Sequence, residues 1–433
     1  MANMARSAAS LPLYTLDLAR RYWAPLLFVY LAGTLVHRIL LRGVAWVGLQ
    51  SPVLGLLALS VTVLVTLATT IIMFLLLRPG LPVLDHELTE RSRRARGGQE
   101  PERPDFAERE RRIVDAVAMS LLPFLIFYSA WGLFVDELRR YAALALNEAG
   151  VSGYTFVFDI NPFGLPLLVL MLAFVARTVC EHFFRRTNSK VLGLSTALFE
   201  TVLLFFVVMT IAEILGQIRA WFESRLVWLE LQAAVSGLLD WLTGITTLPF
   251  SEVAVLALAA LGWLWELLKD GLIQPLLWLT IAAVVFGADV DRTEALFRPG
   301  STARQMQEAA LAHTPGLVKR LSALAGRGLR EKYLPFLNAF RFILQVSPIY
   351  YLSFCLYYTL LELGFGWLER GVYLAVGPAD FLGWWWPWLG PIEIAVTALH
   401  ELLRVCLLAA TFEIALRRIA SREPGRRGKR ARV

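Results

Sequence analysis

The sequence predicts an all-α, polytopic membrane bundle of about eight transmembrane helices in four hairpins, with both termini cytoplasmic. Three observations predict it. Apolar stretches recur along the whole chain, Lys and Arg concentrate in every second connection, and most tryptophans gather on the other connections. Hydrophobic residues make up 57% of the 433 residues and charged ones only 18%, with a mean hydropathy of +0.58. A soluble chain of this length could not bury so much apolar side chain, whereas a bilayer accepts it. Helices rather than a barrel follow from the lack of strand-like alternation and from the need to satisfy backbone groups within lipid.

The expected spans are about 22–37, 52–77, 114–135, 162–180, 191–212, 272–287, 342–362 and 389–416. The longest of them exceed the roughly 20 residues that cross ~30 Å of hydrocarbon. No cleavable leader precedes the first, which reads as a signal anchor. Of the 42 Lys and Arg residues, 31 fall in 1–21, 78–112, 185–190, 288–340 and from 417 onward. The positive-inside rule therefore places 78–113 and 288–341 as charged cytoplasmic loops and 417–433 as a basic, disordered tail lying against anionic lipid. A cell-membrane, multi-pass location follows.

The returning stretch of each hairpin starts near a proline: Pro52, Pro162, Pro275 and Pro387. Proline is tolerated in the first helical turn and so marks helix starts; the repetition also raises internal duplication. Residues 213–271 form the most distinctive outer element, an amphipathic or re-entrant segment with Trp221, Phe222, Leu226 and Leu229 at helical spacing. Within it, 253–268 is apolar but short, and Glu266, Lys269 and Asp270 part it from 272–287. An interfacial first half feeding one span fits the charge rule; a tilted helix from Glu252 to Phe286 is the alternative.

Trp384, Trp385, Trp386 and Trp388 flank Pro387 and read as an outer interface anchor, because indole is apolar with one donor. The candidate functional residues are ionisable groups at bilayer depth. Glu393, His400, Glu401 and Arg404 belong to the last expected span and Glu200 to the fifth. Glu393, His400 and Arg404 share a helix face. Charges there are costly unless paired or hydrated, so a polar cluster between the two spans is expected, forming a substrate or ion pathway or else an ion-pair network that joins helices. Arg177 and Glu181, four residues apart, read instead as an interfacial pair.

His400-Glu401 is not a zinc-protease motif, because position 404 is Arg where that motif needs a second His. No phosphate loop, dinucleotide fingerprint or haem motif is present, and Cys180, Cys355 and Cys406 form no paired motif. Neither a metal nor a cofactor is expected, nor nucleic acid, and an enzyme is the less favoured class. The sequence thus points to a transporter-like or lipid-handling membrane protein, or alternatively to a structural or assembly subunit that meets another membrane protein or a second copy of itself.

Overall fold

The computed structural model describes residues 10–86, 133–158, 165–187, 190–246, 250–286 and 348–422. These are helical throughout: α1 (Leu11–Gly48), α2 (Pro52–Leu77), α3 (Leu133–Phe158), α4 (Leu165–Thr187), α5 (Lys190–Glu223), α6 (Leu226–Thr246), α7 (Phe250–Leu268), α8 (Gln274–Val285), α9 (Pro348–Val376) and α10 (Trp386–Arg422). A π-turn at Lys269–Ile273 joins α7 to α8, and a second, at Phe381–Trp385, leads into α10.

Four elements among the described residues are long and apolar enough to cross a membrane: Leu11–Gly48, Pro52–Gly80, Val255–Val285 and Phe381–Arg418. The chain is accordingly a helical, multi-pass membrane protein. The expected eight spans in four hairpins are overturned. The stretch at 114–135 lies outside the described residues except for 133–135, which open α3, where Asp136, Glu137, Arg139 and Arg140 follow at once. In α4 the apolar run is interrupted by Arg177 and Glu181. The apolar stretch found in α5 is the short Leu198–Val207. In α9, Tyr350, Tyr351, Tyr357, Tyr358 and Tyr373, together with Glu362, Glu369 and Arg370, dilute the apolar side chains. Counting apolar runs treats such helices as equal to α2, which carries no charge at all.

Run lengths also shift. α1 has 38 residues, about 57 Å at the α-helical rise, so Arg38 and Arg42 belong to the helix and not to an outer connection. Likewise α10 continues to Arg422, through the start of the expected tail; 423–433 lie outside the described residues, as do 87–113 and 288–341 of the charged loops.

α2 starts cleanly because Ser51 is extended and Pro52 supplies a preset φ. Its threonines do not strand their hydroxyls in lipid: Thr62 donates to the Leu59 carbonyl at 2.7 Å and Thr69 to that of Val65 at 2.8 Å. Leu59, Val63, Leu67, Ile71 and Phe74 are fully buried or nearly so, a three- and four-residue spacing that presents one face to the bundle. α1 packs along α2 through small side chains. A Cβ on Gly33 would strike Thr69, and one on Gly48 or Gly55 would strike the Tyr141 hydroxyl. Burial pushes the Tyr141 phenol up to about 12, so it stays neutral in that niche.

The core lies where α2, α8, α9 and α10 meet. Phe286 stacks on Phe412 at 5.4 Å between ring centroids and meets Phe74 edge-on at 5.6 Å. In α10, residues Val405 to Phe412 are buried all round. The π-turn before α8 disrupts the regular ladder there, and Tyr351 of α9 donates its hydroxyl to the Leu272 carbonyl. By contrast α6 and α7 expose most of their apolar residues, including Val227, Trp241, Leu256 and Trp263. Exposure of so many apolar side chains suits a helix facing lipid or a partner helix.

The most deeply buried carboxylate among the described residues latches the core. Glu413 has 0% exposure and accepts from the backbone N–H groups of Val83 at 2.9 Å and Leu84 at 3.2 Å. Arg417, one turn on, pairs with it at 3.2 Å. Glu413 therefore latches α10 to the segment that follows α2, and Tyr14 of α1 reinforces it by donating to the Gly80 carbonyl at 3.1 Å.

Candidate functional site

Away from that latch, a cavity of about 600 Å³ opens between α1, α2, α3, α8 and α10. Its wall is polar for a bundle of membrane-length helices. α1 contributes Thr34, His37, Arg38 and Arg42; α2 contributes Thr66, Thr69 and Thr70; α3 contributes Glu137 and Arg140; α10 contributes Glu393, Thr397, Glu401 and Arg404. Four guanidinium groups thus face three carboxylates. On α1 the polar positions recur at intervals of three and four, so one helix face turns into the cavity.

The charges are unevenly paired. Glu137 is buried and holds His37 Nε2 at 3.0 Å and Arg140 Nη1 at 3.4 Å. Glu401 pairs with Arg404, whose guanidinium lies 4.2 Å from the centre of the Trp278 ring on α8. Arg38, Arg42 and Glu393 have no ion-pair partner among the described residues. Two exposed cations and one exposed carboxylate are therefore left facing the cavity. A guanidinium fork in that position suits the oxygens of a phosphate or carboxylate, which it can bind in pairs.

Of the residues singled out from the sequence, Glu393, Glu401 and Arg404 line this cavity. His400 lies just behind it, with Nδ1 3.8 Å from Glu401 and Nε2 3.2 Å from Glu362 of α9. The ring also sits edge-on to Phe365 at 5.1 Å. Glu200 is placed elsewhere: it pairs with Arg177 of α4 at 3.6 Å, and Arg177 also reaches Glu181 at 3.7 Å. The ionisable neighbour that His400 meets on α9 is Glu362, which the sequence does not single out.

The tryptophans cluster at the start of α10. Trp384 meets Trp385 at 4.8 Å and stacks on Trp388 at 6.3 Å, while Trp386 and Trp388 are more than half exposed. Asp380 holds the turn by accepting from the Gly383 N–H.

Arg38, Arg42, His37, Glu137 and Arg140 complete the cavity, and none was picked out from the sequence. Their signal was available in the spacing. Thr34, Arg38 and Arg42 follow one another at four-residue intervals directly after the apolar run of α1, a pattern legible only if the helix is known to continue past His37. Among the described residues no group of three or more His, Cys, Asp or Glu side chains could hold a metal ion. Comparison with known protein families, curated proteins and solved structures finds no match to this chain.

Proposed function

We propose that the protein is transporter-like or lipid-handling and that its cavity receives an anionic group. The observation that carries this reading is the pair Arg38 and Arg42. They line a cavity that also contains three carboxylates, yet no carboxylate among the described residues forms an ion pair with them. An arginine in a membrane-length helix is expensive unless water, a counter-charge or a ligand accompanies it. Where Glu137 and Glu401 are spent on His37, Arg140 and Arg404, an incoming anion supplies the missing charge.

Binding in nanodiscs of neutral phosphatidylcholine, followed by calorimetry, tests this. Glycerol 3-phosphate should bind saturably and plain glycerol should not. Joint Arg38→Gln and Arg42→Gln substitution should weaken binding roughly tenfold or more, the size of one or two charge-assisted hydrogen bonds. Absence of saturable binding by glycerol 3-phosphate and by succinate in the parent protein overturns the reading.

The Arg-rich ends of the chain favour a cytoplasmic position for both termini. A second reading, an assembly subunit, is favoured by the exposed apolar surface of α6 and α7. It requires that this hairpin bury itself against another membrane protein or a second copy. Crosslinks from Trp241 or Trp263 to lipid alone would remove it.

A further inference from the structure

We infer that the anionic group arrives on an acyl chain: the ligand is an anionic amphiphile whose headgroup meets Arg38 and Arg42 and whose chain lies in a groove between α1 and α10. This rests on the cavity reading above and adds the tail to it.

The groove encloses about 900 Å³ and is apolar almost throughout, walled by Trp23, Leu27 and Leu31 of α1 and by Ala395, Leu399 and Leu403 of α10. Its position relative to the cavity is what matters. On α1, Trp23, Leu27 and Leu31 are followed at three- and four-residue steps by Thr34, Arg38 and Arg42. One helix stripe is therefore apolar along the groove and cationic along the cavity, with the change falling between Leu31 and Thr34. Ile394 of α10 lines both spaces, so they adjoin. Arg38 Nη1 lies 3.8 Å from where a Cβ on Gly390 would stand, next to Pro391 at the groove's end. A chain lying in the groove thus delivers its headgroup to that guanidinium.

The small side chain of Ala395 keeps the groove open. From its Leu16 to its Leu31 level the groove follows α1 for about 22 Å, more than half of the ~30 Å hydrocarbon thickness. Of the charged groups near the headgroup position, Glu393 is the acidic one without an ion-pair partner among the described residues. It disfavours a second anionic group and suits an amine on the same headgroup. Arg20 lines the groove near its other end, where its long stem can carry the charge out of the apolar layer.

The experiment uses the full-length protein in neutral detergent, offered phosphatidic acid with a photoreactive diazirine in its acyl chain and, separately, phosphatidylcholine with the same chain. Phosphatidic acid should label peptides covering 16–31 and 391–403, with roughly tenfold preference over phosphatidylcholine. Arg38→Gln with Arg42→Gln should abolish the preference, and Arg38→Lys with Arg42→Lys should restore part of it. Ala395→Trp, which fills the groove from a lipid-exposed position, should abolish labelling while glycerol 3-phosphate still binds. Equal labelling by both lipids, indifferent to the arginine substitutions, would make the groove an ordinary lipid-facing surface and overturn the inference, leaving the cavity reading intact if glycerol 3-phosphate binds. Failure of both glycerol 3-phosphate and succinate to bind the parent protein would remove both.

Discussion

The two ends of α10 use the same chemistry for opposite purposes. Near its C-terminal end, Glu413 has no exposed surface, and both its oxygens are taken by the Val83 and Leu84 N–H groups and by Arg417. Near its N-terminal end, Glu393 faces a cavity, within reach of solvent and without an ion-pair partner among the described residues. The surroundings differ in step: Val405 to Phe412 pack on all sides, whereas Glu393, Thr397 and Glu401 line open space. A charged residue in a membrane helix is therefore not by itself a mark of function. What separates the two is whether the fold consumes the charge.

The largest effect should come from breaking the closed end. Glu413→Ala leaves two backbone donors facing a buried space and frees Arg417, and it should cost about 3 kcal/mol or more of unfolding free energy in micelles. Glu413→Gln keeps one acceptor and should cost about half as much. A Glu413→Ala protein that unfolds like its parent would mean that the latch is not holding α10.

A smaller loss should follow Gly48→Ala. The new methyl would meet the Tyr141 hydroxyl, and overpacking of this kind costs about 1–3 kcal/mol. Tyr141→Phe removes the oxygen that collides. Because that hydroxyl is buried without a hydrogen-bond partner among the described residues, Tyr141→Phe alone should be neutral or stabilising. The double variant should recover part of the loss, since the ring carbons 2.7 and 3.0 Å from that methyl remain, so a thermodynamic cycle without coupling would show that α1 and α3 do not approach as described.

Arg404→Gln acts at the boundary between the two ends. It removes the partner of Glu401 and the cation over Trp278, and about 1–2 kcal/mol of stability should go with them. Glu401 would then be a lining carboxylate without its cation, so binding of glycerol 3-phosphate should fall as well. A loss of stability with unchanged binding would assign the pair to the fold alone.

How much of this was legible in the sequence depends on which physical signal carried it. Membrane residence followed from composition, and the uncharged apolar run begun by Pro52 coincides with helix α2, Pro52–Leu77. The number of spans was not legible. A hydropathy run gives no account of the tyrosines in α9 or of Arg177 in α4, and it ended α1 at residue 37, where His37 and Arg38 interrupt the apolar letters. The helix goes on, because those side chains turn into a cavity that the other helices create. The same limit hid most of the site. Depth along α10 singled out Glu393, Glu401 and Arg404, which do share the cavity, but no linear argument could pair His400 with Glu362 or Glu200 with Arg177. Those pairs depend on how helices distant in sequence pack. Glu413 was passed over for a related reason: its partners are backbone N–H groups about 330 positions away, and backbone leaves no trace in a motif.

The smallest effect sharpens the comparison most. Glu393→Gln changes the same residue type on the same helix as Glu413→Gln, 20 positions earlier. No ion pair with a described residue is lost, so stability should stay within about 0.5 kcal/mol of the parent. Binding should move the other way. Glu393 shares the cavity with Arg38 and Arg42, and a carboxylate there repels an incoming anion while weakening the field of the guanidinium groups. Neutralising it should tighten glycerol 3-phosphate roughly two- to threefold at low ionic strength, with the gain shrinking as salt screens the cavity mouth. Weaker binding in Glu393→Gln would mean that the carboxylate holds part of the ligand, as it would for a headgroup bearing an amine. A large loss of stability would instead show that the open end is as much a part of the fold as the closed one.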